Sequence, residues 1–288
     1  MEIDISNGKY WDEGITLVDG CTPCSPGCDH CWAAAHAHRF YREGEPCHES
    51  GLFTDDSGRF NGDIVIHPER LTRFNTRNPK VFAIRNDLFH EKVPDDFILK
   101  TIQLMGSKFY NIYLIQTKQP KRMIDVIKSI NPILRSEGRA PLGLLWDNVY
   151  FGLTICNQQE ADEKIPIFLQ VPGRKFLSIE PMLSDIILPF NGEFQDSDGC
   201  YEDMRHNIKS VILGGETGHG ARPMNPAWVR SVRDQCAAAG VSFYFKSWGA
   251  CCPVDIFGKD YGMLRVGRQR AGRRLDGRTH DALHWLML

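Results

Sequence analysis

VILGGETGHGARPMNPAWVRSVRDQCAAAGVSFYFKSW (residues 211–248) reads as one complete β–α–β unit. VILGGE (211–216) is an apolar, β-branched run that breaks into glycine. Asn225 then stands as an N-cap, Pro226 takes the first helical position, and the stretch Pro226–Ala239 stops at Gly240. SFYFKSW (242–248) resumes the strand pattern. Continuous apolar runs joined by a helix argue for parallel strands covered on both faces.

The same alternation runs through the chain. Further strand candidates are ITLVDG (15–20), VFAIRND (81–87), IYLIQTK (112–118), VYFGLTI (149–155) and KFLSIE (175–180). Helical periodicity covers Asp95–Met105, Lys121–Ile130 and Glu160–Leu169, and a further helix is expected from near Trp32. Six or seven such units predict an α/β protein, a full or partial (β/α) barrel; an open doubly wound sheet fits the same pattern. The barrel domain is expected over residues 1–257, with insertions near 42–80 and 191–207. A basic extension follows over 258–288.

Composition narrows the class. The 288 residues are 42% hydrophobic and 24% charged, enough apolar surface to exclude disorder for the bulk of the chain. With 34 Lys and Arg against 36 Asp and Glu the net charge is −2, which excludes a general polyanion binder. No apolar run reaches the roughly 18–20 residues of a membrane span. The acidic, polar first residues argue against a secretory leader. Ten cysteines in such a chain point to a reducing, cytoplasmic setting and to metal binding, not to a disulfide framework.

Four of the ten stand together in GCTPCSPGCDHCWA (20–33): Cys21, Cys24, Cys28 and Cys31. Cys24-x3-Cys28-x2-Cys31 is the spacing by which three thiolates of one loop hold three irons of a [4Fe–4S] cluster. The fourth iron is then open to the amino and carboxylate groups of S-adenosylmethionine (SAM). Trp32 is placed to shield the cluster from water. Two C-x2-C pairs also suit zinc, though zinc ribbons space their pairs about 12 residues apart or more, and here three residues intervene.

The chain resembles a phage- and prophage-associated family classed with the radical SAM enzymes. The matching stretches are GCTPCSPGCDHCWA (20–33), HPERL (67–71), NDLFHEKVPDDF (86–97), QTKQPKRM (116–123), ADEKIP (161–166), SIEPML (178–183), GGETGHGARPMNPAWVRSVRDQC (214–236) and FYFKSWG (243–249). The family's usual spacing, Cys-x6-Cys-x2-Cys, falls on Cys21, Cys28 and Cys31, so Cys21 and Cys24 compete for the third ligand position. The resemblance implies a radical SAM-type barrel and an enzyme that cleaves SAM to a 5′-deoxyadenosyl radical. It also implies a host-cell cytoplasmic setting, an electron donor for the cluster, and phage DNA as the place of action. The reaction in character is an isomerisation of an amino-acid-decorated thymine or other modified nucleobase. The rival function is a zinc-stabilised nucleic-acid-binding protein without redox chemistry.

Strand ends carry the remaining candidates, because the sites of parallel barrels lie there. Asn86 and Asp87 are expected to hold the SAM amino group, or Asp87 simply caps the NDLF turn. Thr154 is expected at the SAM ribose or carboxylate. Gly214, Gly215 and Glu216 open a glycine-rich loop suited to a ligand or to a tight turn. Glu180 and Lys246 are the catalytic candidates, Lys246 pairing with Glu180 or Glu216 or holding a substrate anion. His67, His90 and His219 read as proton carriers or as ordinary surface groups. Residues 259–278 carry a net +5 with interspersed glycine and read as a mobile basic arm that contacts nucleic acid phosphates or as a solvated extension.

Overall fold

The apolar runs become strands β1 (Glu13–Thr16), β2 (Val18–Gly20), β4 (Val81–Arg85), β5 (Ile112–Thr117), β6 (Val149–Thr154), β7 (Arg174–Ile179), β10 (Ile208–Gly214) and β11 (Ser242–Ser247) in a computed structural model. The structure describes residues 5–40, 53–136, 147–190, 193–195, 201–203, 207–256 and 259–287. Between the strands lie helices α1 (Trp32–Phe40), α2 (Asp95–Ser107), α3 (Pro120–Ser136), α4 (Gln158–Leu169) and α5 (Pro226–Ala239). The main sheet has the order β1-β4-β5-β6-β7-β10-β11. Its registered neighbours all run parallel. The expected α/β class is therefore met in its partial-barrel form, since the order is open from β1 to β11 among the described residues.

One expected strand splits. ITLVDG parts at Leu17: β1 stays in the parallel sheet, while β2 leaves it to pair antiparallel with β3 (Ile64–Ile66). Gly20 permits this at φ +85°, where a Cβ would lie 1.9 Å from the Asp63 carbonyl oxygen.

The chain forms two compact units. The first takes in residues 11–153 and 171–174, and its core includes the rings of Phe74, Phe82 and Tyr113, with centroids 4.8–5.6 Å apart. The expected insertion at 42–80 is, over its described part, integral to this unit. β3 is a sheet partner, Leu71 and Phe74 are buried, and Phe53 and Phe60 pack on Ala34 and Ala37 of α1. Residues 42–52 of that insertion lie outside the described residues. Of the insertion at 191–207, the described parts are a two-stranded ladder, β8 (Glu193–Gln195) with β9 (Tyr201–Asp203), and Asn207.

The second unit takes in residues 2–10, 154–170 and 175–288. α5 begins and ends as its sequence dictates. The Asn225 side chain accepts from the Ala227 amide at 2.9 Å, Pro226 opens the helix, and Gly240 closes it at φ +69°. Val229, Val232 and Cys236 form its buried stripe.

The segment expected as a mobile basic extension is folded instead. β12 (Cys251–Ile256) pairs with β13 (Lys259–Arg265), and Leu275, Leu283 and Trp285 are buried. Trp285 lies 5.6 Å from the Phe176 ring, and its indole donates to the Tyr10 carbonyl at 3.3 Å. Asp276 takes Arg230 and Arg233 as ion partners. Burying a tryptophan and two leucines outweighs the solubility of the arginines around them.

Among the described residues no helix is long and apolar enough to cross a membrane. Asn225→Ala should lower stability by about 1 kcal/mol through loss of the cap, measured as a reduced urea midpoint at unchanged slope.

Candidate functional site

The cysteine loop leaves the end of β2 in the first unit. The Ser25 hydroxyl accepts from the Gly27 amide at 3.2 Å, and a 3-10 turn, Pro26–Cys28, follows. Cys31 then leads directly into α1. Phe53 and Phe60, with Ala34 and Ala37, form the apolar wall against which Cys21 and Cys31 pack. The Gly62 amide donates to the Cys21 carbonyl at 3.1 Å. These contacts came from a segment whose sequence looked like an insertion, and no local periodicity marked them.

The thiols differ sharply. Cys28 is pulled down to about 5, first by a hydrogen bond from the Cys24 thiol, then by the Lys118 charge and by the Cys24 and Ser25 amides. Cys21 is pushed up to about 12 by burial and by Asp87, with Lys118 opposing and Cys28 and Cys31 adding to the rise. Cys24 is exposed, whereas Cys21, Cys28 and Cys31 are half-buried. Among the described residues no three His, Cys, Asp or Glu side chains form a ready-made metal cage. The donor chemistry nonetheless fits a soft metal group: thiols of one loop, one held as a thiolate, beside a lysine. Trp32, the residue expected to shield a cluster, is 57% exposed, with the Arg85 guanidinium 6.0 Å from its ring centroid.

Asn86 and Asp87 follow β4. Asn86 sits at φ +58°, a conformation asparagine tolerates, and its amide donates to the Val18 carbonyl at 2.8 Å. It thereby ties down the start of β2. Asp87 is buried and takes the capping role: one oxygen accepts from the Phe89 amide (2.9 Å), the other from the Thr117 hydroxyl (2.8 Å). Burial raises its carboxyl above the usual range despite these donors.

Two of the candidate histidines are held by hydrogen bonds. His90 is fully buried, and burial lowers its pKa. Its Nδ1 accepts from the Lys92 amide (3.2 Å), which leaves Nε2 to donate to the Thr22 hydroxyl (2.7 Å) inside the cysteine loop. His67 meets buried Asp19 at 2.7 Å, and Arg70 reaches the same carboxylate at 3.4 Å. His219 is exposed, as a surface group.

The second unit holds the other candidates. Thr154 is buried at the end of β6. Glu180 pairs with Lys246 at 2.7 Å and accepts from the Ser178 hydroxyl at 3.2 Å and the Tyr10 hydroxyl at 3.3 Å. The Lys246 ammonium also lies 5.5 Å from the Tyr10 ring centroid. Tyr10 had no local signal, because its partner is 170 residues away. Glu216 is sealed by Arg222, which donates its amide (2.8 Å) and Nε (2.9 Å) to one oxygen. Gly215 answers to packing: a Cβ there would lie 2.1 Å from the Trp248 carbonyl oxygen. A Cβ on Gly214 would lie 3.0 Å from a Glu180 oxygen. The basic tail spends Arg265 on the Gly218 and Ala221 carbonyls and Arg273 on Asp281.

The fold and site define an α/β protein of parallel strands with a thiol-rich loop after its first strands. The chain belongs to DUF5131, a family of proteins of unknown function, whose model matches residues 6–284. No curated protein and no solved structure matches it.

Tyr10 supplies a pH test. Burial, then the Glu180 carboxylate, holds its hydroxyl well above the ordinary value, about 10 in an unfolded chain. The folded chain therefore keeps a proton that the unfolded chain releases above pH 10, so this contribution is complete below pH 10 and is lost as pH rises. Tyr10→Phe should flatten the alkaline fall in stability by up to about 1.4 kcal/mol per pH unit, read from urea unfolding at a series of pH values above 9.

Proposed function

We propose that this chain is a radical SAM enzyme in which Cys21, Cys28 and Cys31 hold three irons of a [4Fe–4S] cluster. The observation that carries the reading is the loop itself. Cys28 is held as a thiolate by donors of its own loop and by Lys118, and Cys21 lies close enough to feel the charge of both Cys28 and Cys31. Bound there, the cluster would supply one electron to SAM and release a 5′-deoxyadenosyl radical.

The chain's own residues do the positioning. Lys118 offsets the negative charge of the thiolates, and the Phe53 and Phe60 wall keeps water from the Cys21 and Cys31 side. The His90–Thr22 hydrogen bond and the Asn86 contact to Val18 fix the approach to the loop. In this reading Asn86 and Asp87 contact the SAM amino group, Asp87 through oxygen lone pairs beyond those of its cap. Thr154 and the Gly214–Gly215–Glu216 turn are the expected SAM contacts of the second unit. There Glu180 and Lys246 keep 17% and 21% of their side chains exposed, and they orient a polar substrate. The substrate class is a modified nucleobase of DNA, isomerised in a reducing cytoplasm with an external electron donor. The radical SAM type of partial barrel belongs to the same reading.

Anaerobically reconstituted protein should be brown, and reduced protein given SAM should release 5′-deoxyadenosine. Cys28→Ala and Cys31→Ala should abolish both iron and product. Cys21→Ala should collapse them and Cys24→Ala should not, because three thiolates suffice and a fourth would occupy the iron that SAM needs. The reverse pattern moves the third ligand to Cys24. Zinc without iron in the wild type, lost in all four variants, would establish the zinc-site reading instead.

A further inference from the structure

Arg85 ends β4 on the face of the sheet opposite the aromatic core of the first unit. Side chains alternate along a strand, so Phe82 and Ile84 share one face, Ala83 and Arg85 the other. Phe82 packs on Phe74 and on Tyr113, its partner in β5. On the opposite face the register sets Ala83 beside Gly14 and Arg85 beside Thr16. Gly14, Thr16 and Ala83 are half-buried, and Arg85 is exposed.

The guanidinium nonetheless has a seat. A Cβ on Gly14 would lie 2.3 Å from the Arg85 Nε and 2.8 Å from its Cζ and Nη2. Gly14 does not adopt the left-handed conformation, so room for Arg85, not backbone geometry, calls for glycine there. The Trp32 ring stands beside the group, its centroid 6.0 Å from Cζ. Holding a long side chain in one place costs rotamer freedom, and an arginine that serves only solubility needs no such seat.

The nearby carboxylates are answered elsewhere. Glu13 takes Arg73 and Lys80, Asp19 takes His67 and Arg70, and Asp87 accepts from the Phe89 amide and the Thr117 hydroxyl. Among the described residues the Arg85 guanidinium has no hydrogen-bond or ion-pair partner. A planar fork of N–H donors pairs bidentately with the oxygens of a phosphate or a carboxylate. Asn86, the next residue, is tied to Val18 at the start of β2, so Arg85 stands at the strand end from which the cysteine loop leaves.

We propose that Arg85, seated on Gly14, is an oxyanion-binding site that holds a phosphate or carboxylate group of a ligand at this strand end. The proposal needs no metal, and its test uses none, so it stands or falls apart from the radical SAM reading.

The test is footprinting of the full chain with phenylglyoxal, which modifies exposed arginines. Mass spectrometry reads the rate at Arg85 and at Arg77, an exposed arginine of the same unit. Inorganic phosphate and acetate are the probes, with sodium chloride at equal ionic strength as the reference. At least one probe should slow the labelling of Arg85 in a saturable way and leave Arg77 as it is in chloride. Protection by phosphate alone assigns the site to phosphate groups, by acetate alone to carboxylates, and by both to either. Gly14→Ala fills the seat and keeps the arginine. It should raise the protecting concentration roughly tenfold or more, the loss of one hydrogen bond to a charged group. The Trp32 emission, taken as the difference between wild type and Trp32→Phe, should respond to the protecting probe in wild type and not in Arg85→Ala. Melting curves show that each variant is folded. No protection beyond chloride, equal protection of Arg77, or an unchanged protecting concentration in folded Gly14→Ala overturns the proposal.

Discussion

A strand hydrogen-bonded on both edges and covered on both faces is built mainly from apolar side chains, and its carboxylates fall beyond its ends. β6 is buried at all six positions, β7 at all but its first, and β10 at all but its second. Several of the polar candidates follow from this. Asn86 and Asp87, Thr117 and Lys118, Thr154, Glu180 and Glu216 stand at or just beyond the last residues of β4, β5, β6, β7 and β10. The apolar interior makes the sheet stable by burial and pushes the chemistry into the turns that follow the strands.

Those turns must then satisfy their own polar groups. Asp87 is answered by Phe89 and Thr117, Glu180 by Lys246, Ser178 and Tyr10, and Glu216 by Arg222. A buried carboxylate without such partners would cost several kcal/mol. The cysteine loop differs from the others in kind. Its groups are thiols, cheap to bury when neutral, and Cys28 is surrounded by donors that favour its charged form. That contrast sets the loop apart chemically from the carboxylate turns, whose charges are answered by neighbouring donors.

What the sequence determined by itself was local. The strands and helices follow from runs and periods of apolar residues, and α5 spans the residues its Asn225 cap, Pro226 and Gly240 mark out. The thiol spacing, the Asp87 cap and the strand-end positions were equally legible, because each depends on neighbours within a few residues. Tertiary structure alone decided the partners. It took β2 out of the sheet because Gly20 lets Asp63 approach, and it turned residues 53–80 from an apparent insertion into the wall behind the cysteines. It buried His90 against Thr22, paired Glu180 with Lys246 and Tyr10, and folded the arginine-rich tail by burying Trp285. These pairings join residues tens to hundreds of positions apart. Strand order and the demand to bury apolar surface bring them together, and neither is written in any short stretch of chain.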